Sequence, residues 1–376
     1  MKRIKKTFAF TILILSLLIW LLELNSCQAQ TLKHVVKFSN HKYLPAYGLK
    51  KLRHPEMFQG NNMKNEYFEG WYFKMVSSDN SSILSIIPGI SISKDGKEQH
   101  AFIQIIDGKT AKTNYYSFPI EAFEFSMKEF AIKIGQNYFS KEMIILNIKT
   151  DSSFVSGEIH TSNMRELKNN TFINTGIMGW YRFVPFMQCY YGVVSLTNRI
   201  EGRLIKDGKT YNFDKGVGYI EKDWGSSMPS AWIWMQTNNF SKGNSSFMLS
   251  VANVPWMGKS FTGFLGFFLL DSTIYRFATY THSNLEIERL DSNSIKIIIR
   301  DVNNTYIINA SRKNFGLLKA PFKGSMDRRI SESIDAKLQL IVINNKGKVI
   351  FCDSTSIAGL EIVGNQQILK VDKKRK

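Results

Sequence analysis

Glu221 and Asp223 stand two residues apart in the run Gly218-Tyr-Ile-Glu-Lys-Asp-Trp-Gly225. Trp224 lies beside them, and Trp232 and Trp234 follow a Gly-Ser-Ser-Met-Pro turn. On a regular strand both carboxyls face one side and Lys222 the other. Carboxyls held close together split their pKa values, so that one keeps its proton and can act as an acid. An acid among indole faces is what protonating an alkene requires, because aromatic faces stabilise the cation that forms. The same residues also fit a plainer reading, with the carboxyls as turn charges paired to Lys222 or an Arg, and the indoles as core.

Three further sets are candidates for the same site. In Phe68-Glu-Gly-Trp-Tyr-Phe73, Glu69 shares a strand face with Trp71 and Phe73. It reads either as a desolvated acid or as a structural charge that binds an Arg at a barrel's base. Gln236 shares a face with Trp232 and Trp234, and so ends an aromatic wall with a group able to hydrogen-bond a quinol hydroxyl. His100 shares a face with Phe102 and Gln104, as a structural residue or as a base. The histidines lack metal-ligand spacing, and no Gly-x-Gly-x-x-Gly, Gly-x-x-x-x-Gly-Lys or Gly-x-Ser-x-Gly run occurs, which argues against metal, nucleotide and serine-hydrolase chemistry.

The elements that must position these residues are short period-two runs separated by Asp-Gly, Lys-Gly and Asn-rich turns, which predict an all-β protein. Two halves look alike. Gly70-Trp-Tyr-Phe-Lys-Met75 leads through a turn to Ile83-Leu-Ser-Ile86, and Ala231-Trp-Ile-Trp-Met235 leads through a turn to Phe247-Met-Leu-Ser-Val251. Later, Gly218-Tyr-Ile-Glu221 is echoed by Gly359-Leu-Glu-Ile362. The repeat predicts two tandem domains, 61–228 and 229–364, each a meander closing into a barrel or strongly curved sheet. An irregular arm at 31–60 precedes them and a basic tail at 365–376 follows. Residues 164–187 read as an insertion holding a short helix or an aromatic lid. The Glu221–Gly225 run then falls where the two domains meet, a favoured place for ligands.

The 376 residues carry a net charge of +18. Outside short clusters at the two ends the basic residues are scattered, and no nucleic-acid module frames them. A basic surface suited to an anionic membrane is the expectation. Lys2, Arg3, Lys5 and Lys6 precede an uncharged, largely apolar stretch from Phe8 to Leu22, short of the ~20 residues of a comfortable span. This reads as a secretory signal or membrane anchor, with Leu24-Asn-Ser-Cys27 similar to a bacterial lipobox. Cys27 is then a candidate lipidation site and the cell envelope the expected location. Cys189 and Cys352 read as two separate buried thiols, with one bridge between them the alternative.

The Phe68–Phe73 and Glu221–Gly225 runs, Met228-Pro229, and Trp232-Ile-Trp234 with Gln236 and Asn238 together resemble the tocopherol cyclase family. Echoes continue at Leu318-Lys-Ala-Pro321, Leu338-Gln-Leu340 and Ala358-Gly-Leu-Glu-Ile362. The resemblance implies tandem lipocalin-like, or calycin-like, barrels and an enzyme that needs no cofactor or metal. It implies a prenylated hydroquinone or other isoprenoid lipid as substrate, closed to a chromanol by proton addition to the nearest prenyl double bond. Asp223, Glu221 or Glu69 would be the acid, and Trp71, Tyr72, Trp224, Trp232, Trp234, Gln236 and His100 would touch substrate. The chain departs from the family at Gln188-Cys-Tyr-Tyr191-Gly192, where relatives carry Glu-Cys-Tyr-His-Gly. A lipid- or quinone-carrying envelope protein without catalysis uses the same barrels and is the alternative, with a structural envelope lipoprotein a third.

Overall fold

The computed structural model describes residues 38–39, 45–167, 176–185, 187–242, 244–256 and 258–369. The expected targeting segment with Cys27, part of the 164–187 insertion and residues 370–376 of the basic tail lie outside the described residues. Among those described, no helix is long and apolar enough to cross a membrane.

The chain is almost entirely antiparallel β-sheet. Strands β1 (Tyr67–Val76), β2 (Ile83–Ile92), β3 (Gln99–Asp107) and β4 (Thr113–Pro119) form a meander ending in a 3-10 turn at Ile120–Ala122. Then come β5 (Phe123–Ser126), β6 (Ala131–Ile134), β7 (Asn137–Ser140), β8 (Met143–Lys149) and β9 (Phe154–Arg165), followed by β10 (Cys189–Lys206), β11 (Lys209–Asn212) and β12 (Gly216–Gly225). The last strand, β12, pairs back onto the first, β1, from Val217 opposite Val76 to Gly225 opposite Phe68. Among the strands from Tyr67 onward, the ends of the sheet order are β4 and β5, which the 3-10 turn joins, so the sheet comes round nearly to a closed barrel.

The second half repeats this course. A meander of β13 (Trp232–Thr237), β14 (Ser245–Trp256), β15 (Lys259–Leu270) and β16 (Thr273–Ala278) ends in a 3-10 turn at Thr279–Thr281. It continues through β17 (Asn284–Leu290), β18 (Ser294–Arg300), β19 (Asn304–Ser311), β20 (Gly316–Phe322), β21 (Ser325–Asn344) and β22 (Val349–Val363). Here too the last strand pairs with the first, β22 on β13, in a 10-stranded sheet. First strand on last strand and a 3-10 corner after the fourth are shared by both halves. These are the tandem curved sheets that the repeat predicts.

Strand β1 is buried along nearly its whole length, unlike a half-exposed strand of alternating pattern. Its odd-numbered side chains, Glu69, Trp71 and Phe73, point into the first barrel. There Trp71 and Phe73 pack with Phe123, Phe125, Phe130 and Phe139. Its even-numbered side chains face the second sheet, where Tyr72 joins Tyr219, Trp232, Trp234, Met248 and Phe267 in an intersheet core. Phe247, Phe268, Phe277, Tyr306 and Phe351 fill the second sheet's concave side. Each such side chain contributes roughly 1.5–3 kcal/mol on burial. With both concave faces packed, the space left for a ligand is between the sheets.

The stretch expected as an irregular arm holds a helix, α1 (Pro45–Arg53), whose last turn carries Lys50, Lys51 and Arg53 against the carbonyl end of its dipole. Arg182, in the 3-10 turn Gly179–Phe183, donates to the carbonyls of Lys51 and Leu52 at 2.5 and 2.7 Å and so satisfies helix-end acceptors. Beyond α1, Met57 and Phe58 insert into the first barrel. Both Cys189 and Cys352 are free thiols, as expected, but Cys189 is half-buried and Cys352 is exposed, its side chain pointing outward from β22.

Candidate active site

A cavity of about 210 Å³ lies between the two sheets. One wall is Gly70 and Tyr72 of β1 with Glu221 and Asp223 of β12. The facing wall is Trp232 and Trp234 of β13 with Glu332 of β21 and Glu361 of β22. Strand alternation sets this arrangement. Glu221 and Asp223 share a face toward the cavity, and Lys222 and Trp224 share the opposite face inside the first barrel.

Four carboxyls in an apolar enclosure cannot all be ionised. Glu221 Oε2 accepts from the hydroxyls of Tyr191 and Tyr219, the latter at 2.6 Å, and from Trp234 Nε1 at 3.2 Å. Burial still pushes this carboxyl up to about 7, against the pull of those donors. Asp223 lies across from Gly70, which leaves its carboxyl clear toward the cavity. Among the described residues its hydrogen-bonding partner is the Cys189 thiol at 3.8 Å. Burial, followed by the charges of Glu221 and Glu361, holds Asp223 well above the usual carboxylate range. The carboxyl nevertheless keeps partial accessibility, because it borders the cavity itself. A neutral acid with one weak partner, on a cavity wall shared with Tyr72 and Trp234, can give a proton to an apolar ligand.

On the facing wall, Glu332 and Glu361 are directly opposite in the β21–β22 ladder. Tyr72 Oη donates to Glu332 Oε1 at 2.6 Å and itself accepts from Ser85 Oγ at 2.8 Å. Burial and then the neighbouring Glu361 charge push Glu332 well above its ordinary value. Glu361 Oε2 accepts from Trp232 Nε1 at 2.5 Å. Burial raises it to about 7, while that bond and the guanidiniums of Arg312 and Arg328 draw it back.

Of the residues read from sequence, Glu221, Asp223, Tyr72, Trp232 and Trp234 meet at the cavity. The structure corrects the expected placement of the others, and strand parity is the reason for three of them. Glu69 faces into the first barrel, where its carboxylate pairs with Lys222 Nζ at 2.5 Å and accepts from Gln59 N, Gly60 N and Tyr67 Oη. The partner is thus a lysine instead of the arginine considered for it. Trp71 and Trp224 lie on that same inner side, with the Lys222 ammonium 4.6 and 4.9 Å from their rings. Trp224 also stacks on Tyr190 and carries the Arg182 guanidinium over its face at 5.2 Å. Gln236 is fully buried between the sheets outside the cavity wall, where Lys74 Nζ donates to its Oε1 at 3.2 Å. His100 is only half-buried and hydrogen-bonds Tyr115 Oη, while Phe102 and Gln104 from its face do line the cavity.

Sequence reasoning did not single out Tyr219, Glu332 or Glu361, and Tyr191 entered only as a departure from the family pattern. Glu361 was within reach, since its Gly-Leu-Glu-Ile run is the repeat of Gly-Tyr-Ile-Glu. Glu332 sits in Arg328-Arg-Ile-Ser-Glu-Ser333 with no local signature. Two glycines fix the local backbone. Gly225 ends β12 at φ +151°, and a Cβ there would meet the Gln188 carbonyl at 2.3 Å. At Gly359 a Cβ would lie 2.4 Å from the Trp234 indole, so glycine makes the seat for that ring.

The profile of the family described as tocopherol cyclase-like matches residues 158–364, more than half of the chain. The chain belongs to the tocopherol cyclase-like family. All four cavity carboxyls fall within the matched segment. Two curated relatives match over 74 residues. A protein named probable tocopherol cyclase, chloroplastic, from Oryza sativa subsp. japonica is 30% identical there, and a tocopherol cyclase, chloroplastic, from Zea mays is 28% identical. The matched region is 20% of this chain and 16% of each relative's length. Among solved structures, CghA with Sch210972 is 9% identical over 79% of this chain and 89% of that one, with a TM-score of 0.49. Kievitone hydratase from Nectria haematococca is 10% identical over 88% and 99%, with a TM-score of 0.44.

Proposed function

We propose that this chain is an intramolecular cyclase of prenylated hydroquinols, forming a chromanol by proton-initiated ring closure. The observation that carries the reading is Asp223, a neutral carboxyl with one weak partner on the wall of an apolar, aromatic cavity. A prenyl tail lies along Phe102, Met178, Leu265 and Ile330, which line the cavity with apolar surface. Asp223 adds its proton to the less substituted carbon of the nearest prenyl double bond and becomes a carboxylate. The tertiary cation forms in the cavity beside Tyr72 and Trp234, whose rings meet edge to face at 5.3 Å and 71° and together line it. Each such cation–aromatic contact in a dry site is worth up to about 2 kcal/mol or more. The phenol oxygen then closes the ring and releases its proton, so substrate and product have the same mass. The carboxylate left on Asp223 is reprotonated from water as product leaves.

Family membership supports a cyclase over other activities, and the cavity between the sheets supports one ligand held by both halves, which act as domains 61–228 and 229–364. The basic, signal-like N-terminus supports an envelope location at a membrane surface, where isoprenoid lipids reside. The test is incubation of purified protein with a panel of prenyl hydroquinols, followed by chromatography. A product of unchanged mass that has lost one of the two phenolic hydroxyls supports the reading. Binding of quinol without conversion at any pH overturns it in favour of a carrier.

A further inference from the structure

The cyclase reading uses the acid on the first sheet and leaves the carboxyl pair on the second without a role. Glu332 is the more informative member. It is fully buried, its Oε1 is occupied by the Tyr72 hydroxyl, and among the described residues its Oε2 has no hydrogen-bond partner. A buried carboxyl oxygen without a partner costs about 1–3 kcal/mol or more. Glu332 nevertheless borders the cavity, and its ladder partner Glu361 is only partly buried there, so a ligand group meets the pair from the Glu361 side. The nearby cations make their hydrogen bonds elsewhere, and of their buried donors Arg312 Nε is left without a partner among the described residues. Lys74 donates to Gln236 Oε1 and the Ile357 carbonyl at 3.2 and 3.1 Å. Arg328 donates to the carbonyls of Pro229 and Ser230 while lying 4.8 Å over Trp232, and Arg312 donates to those of Ser331 and Ser292. What is missing at Glu332 is therefore a polar hydrogen or oxygen supplied by the ligand.

We propose that the Glu332–Glu361 pair binds the hydroxyl of the ligand and takes up its proton, on the wall facing Asp223. Two carboxyls directly opposite in a ladder cannot both be ionised in this enclosure, so the pair holds one proton and one charge. A ligand hydroxyl donates to the charged member and accepts from the protonated one, which gives Glu332 Oε2 its partner. The uptake step rests on the cyclase reading. As the phenol oxygen bonds to the tertiary carbon, its O–H bond breaks, the electron pair stays on oxygen, and the proton passes to the charged carboxylate. Hydroxyl binding alone does not need that reading. The ligand class it selects is an isoprenoid lipid with a free phenolic hydroxyl.

The experiment compares a prenyl hydroquinol with its mono-methyl ethers, binding measured by quenching of tryptophan fluorescence in the parent, Glu332→Leu, Glu332→Gln and Asp223→Asn. The parent should prefer the free hydroquinol by tenfold or more over the ether blocked at the hydroxyl next to the prenyl chain. Glu332→Leu should reduce that preference to below threefold, Glu332→Gln should keep part of it, and Asp223→Asn should keep it whole. A Glu332→Leu protein with parental circular dichroism and an undiminished preference overturns the proposal, as does a parent with no preference. Loss of preference in Glu332→Leu supports it even if the parent makes no chromanol, the result that would instead count against the cyclase reading. Should Glu332→Leu fail to fold, Glu361→Gln serves in its place. It should narrow the preference at least threefold, and an unchanged value there overturns the proposal.

Discussion

Replacing Glu69 by Gln separates a structural role for this residue from a catalytic one. Its carboxylate accepts from two backbone amides, Gln59 N and Gly60 N, from Tyr67 Oη and from Lys222 Nζ, all inside the first barrel. Lys222 in turn donates to the carbonyls of Pro55 and Met57, so the pair ties residues 55–60 to the barrel wall. Burial draws Lys222 down to about 8 even with Glu69 beside it. Glu69→Gln leaves that ammonium without its counter-charge and turns an amide donor toward backbone donors. Breaking a buried pair from one side costs about 3–5 kcal/mol. Lys222→Met should cost less, because the amides and Tyr67 still satisfy Glu69. The double variant should be no worse than Glu69→Gln alone, with a coupling of roughly 1–3 kcal/mol. Urea denaturation followed by tryptophan fluorescence measures all four proteins. A Glu69→Gln protein within about 1 kcal/mol of the parent, or one of parental stability that has lost turnover, would refute the structural assignment.

Burial lifts Glu221 and Glu361 from 4.5 to about 7. The unfolded chain therefore ionises first as pH rises, and stability should fall between pH 4.5 and 7 and level off above, by on the order of 3 kcal/mol per group. Denaturation midpoints across that range check this, and Glu221→Gln should flatten the slope. A Cβ at Gly70 meets nothing closer than Ile87 at 3.6 Å, so Gly70→Ala should fold normally. Gly70→Leu should fill the space beside Asp223 and weaken quinol binding tenfold or more by calorimetry. Cys352 is exposed, whereas burial and the neighbouring Asp223 charge push the Cys189 thiol well up. Iodoacetamide should label Cys352 at least tenfold faster by mass spectrometry, and bound quinol should slow Cys189 further.

Local period and parity made much of the site legible. The two-residue spacing of Glu221 and Asp223 placed them on one face with Lys222 behind, as the structure has them, and the paired repeats anticipated two curved sheets. Parity could not say which side of a strand is a barrel interior and which the intersheet face, because β1 is apolar on both. For that reason Trp71, Trp224 and Glu69 were expected at the ligand and lie behind it. The repeat also aligned Trp71 with Trp232, yet Trp71 faces its own barrel and Trp232 the other sheet. A one-residue slip reverses every face. In the ladders Glu221 opposes Tyr72 and Glu361 opposes Trp234, so Tyr72 and Trp234 are the true counterparts. Glu332 escaped notice because its significance arises only from strand pairing with Glu361 and from the contact with Tyr72, 260 residues away.

The central claim is that Asp223 supplies the proton that starts ring closure. Turnover and quinol affinity of Asp223→Asn, measured side by side with the parent on the hydroquinol that the panel shows to be converted, test it most directly. Asparagine keeps the size and removes the acidic proton, so turnover should fall by about 100- to 10,000-fold, the range for a general acid. The dissociation constant should stay within about threefold, since Asp223 has little part in binding. An Asp223→Asn protein that cyclises at a rate near the parent's would contradict the account and move the acid to Glu221 or to the facing wall.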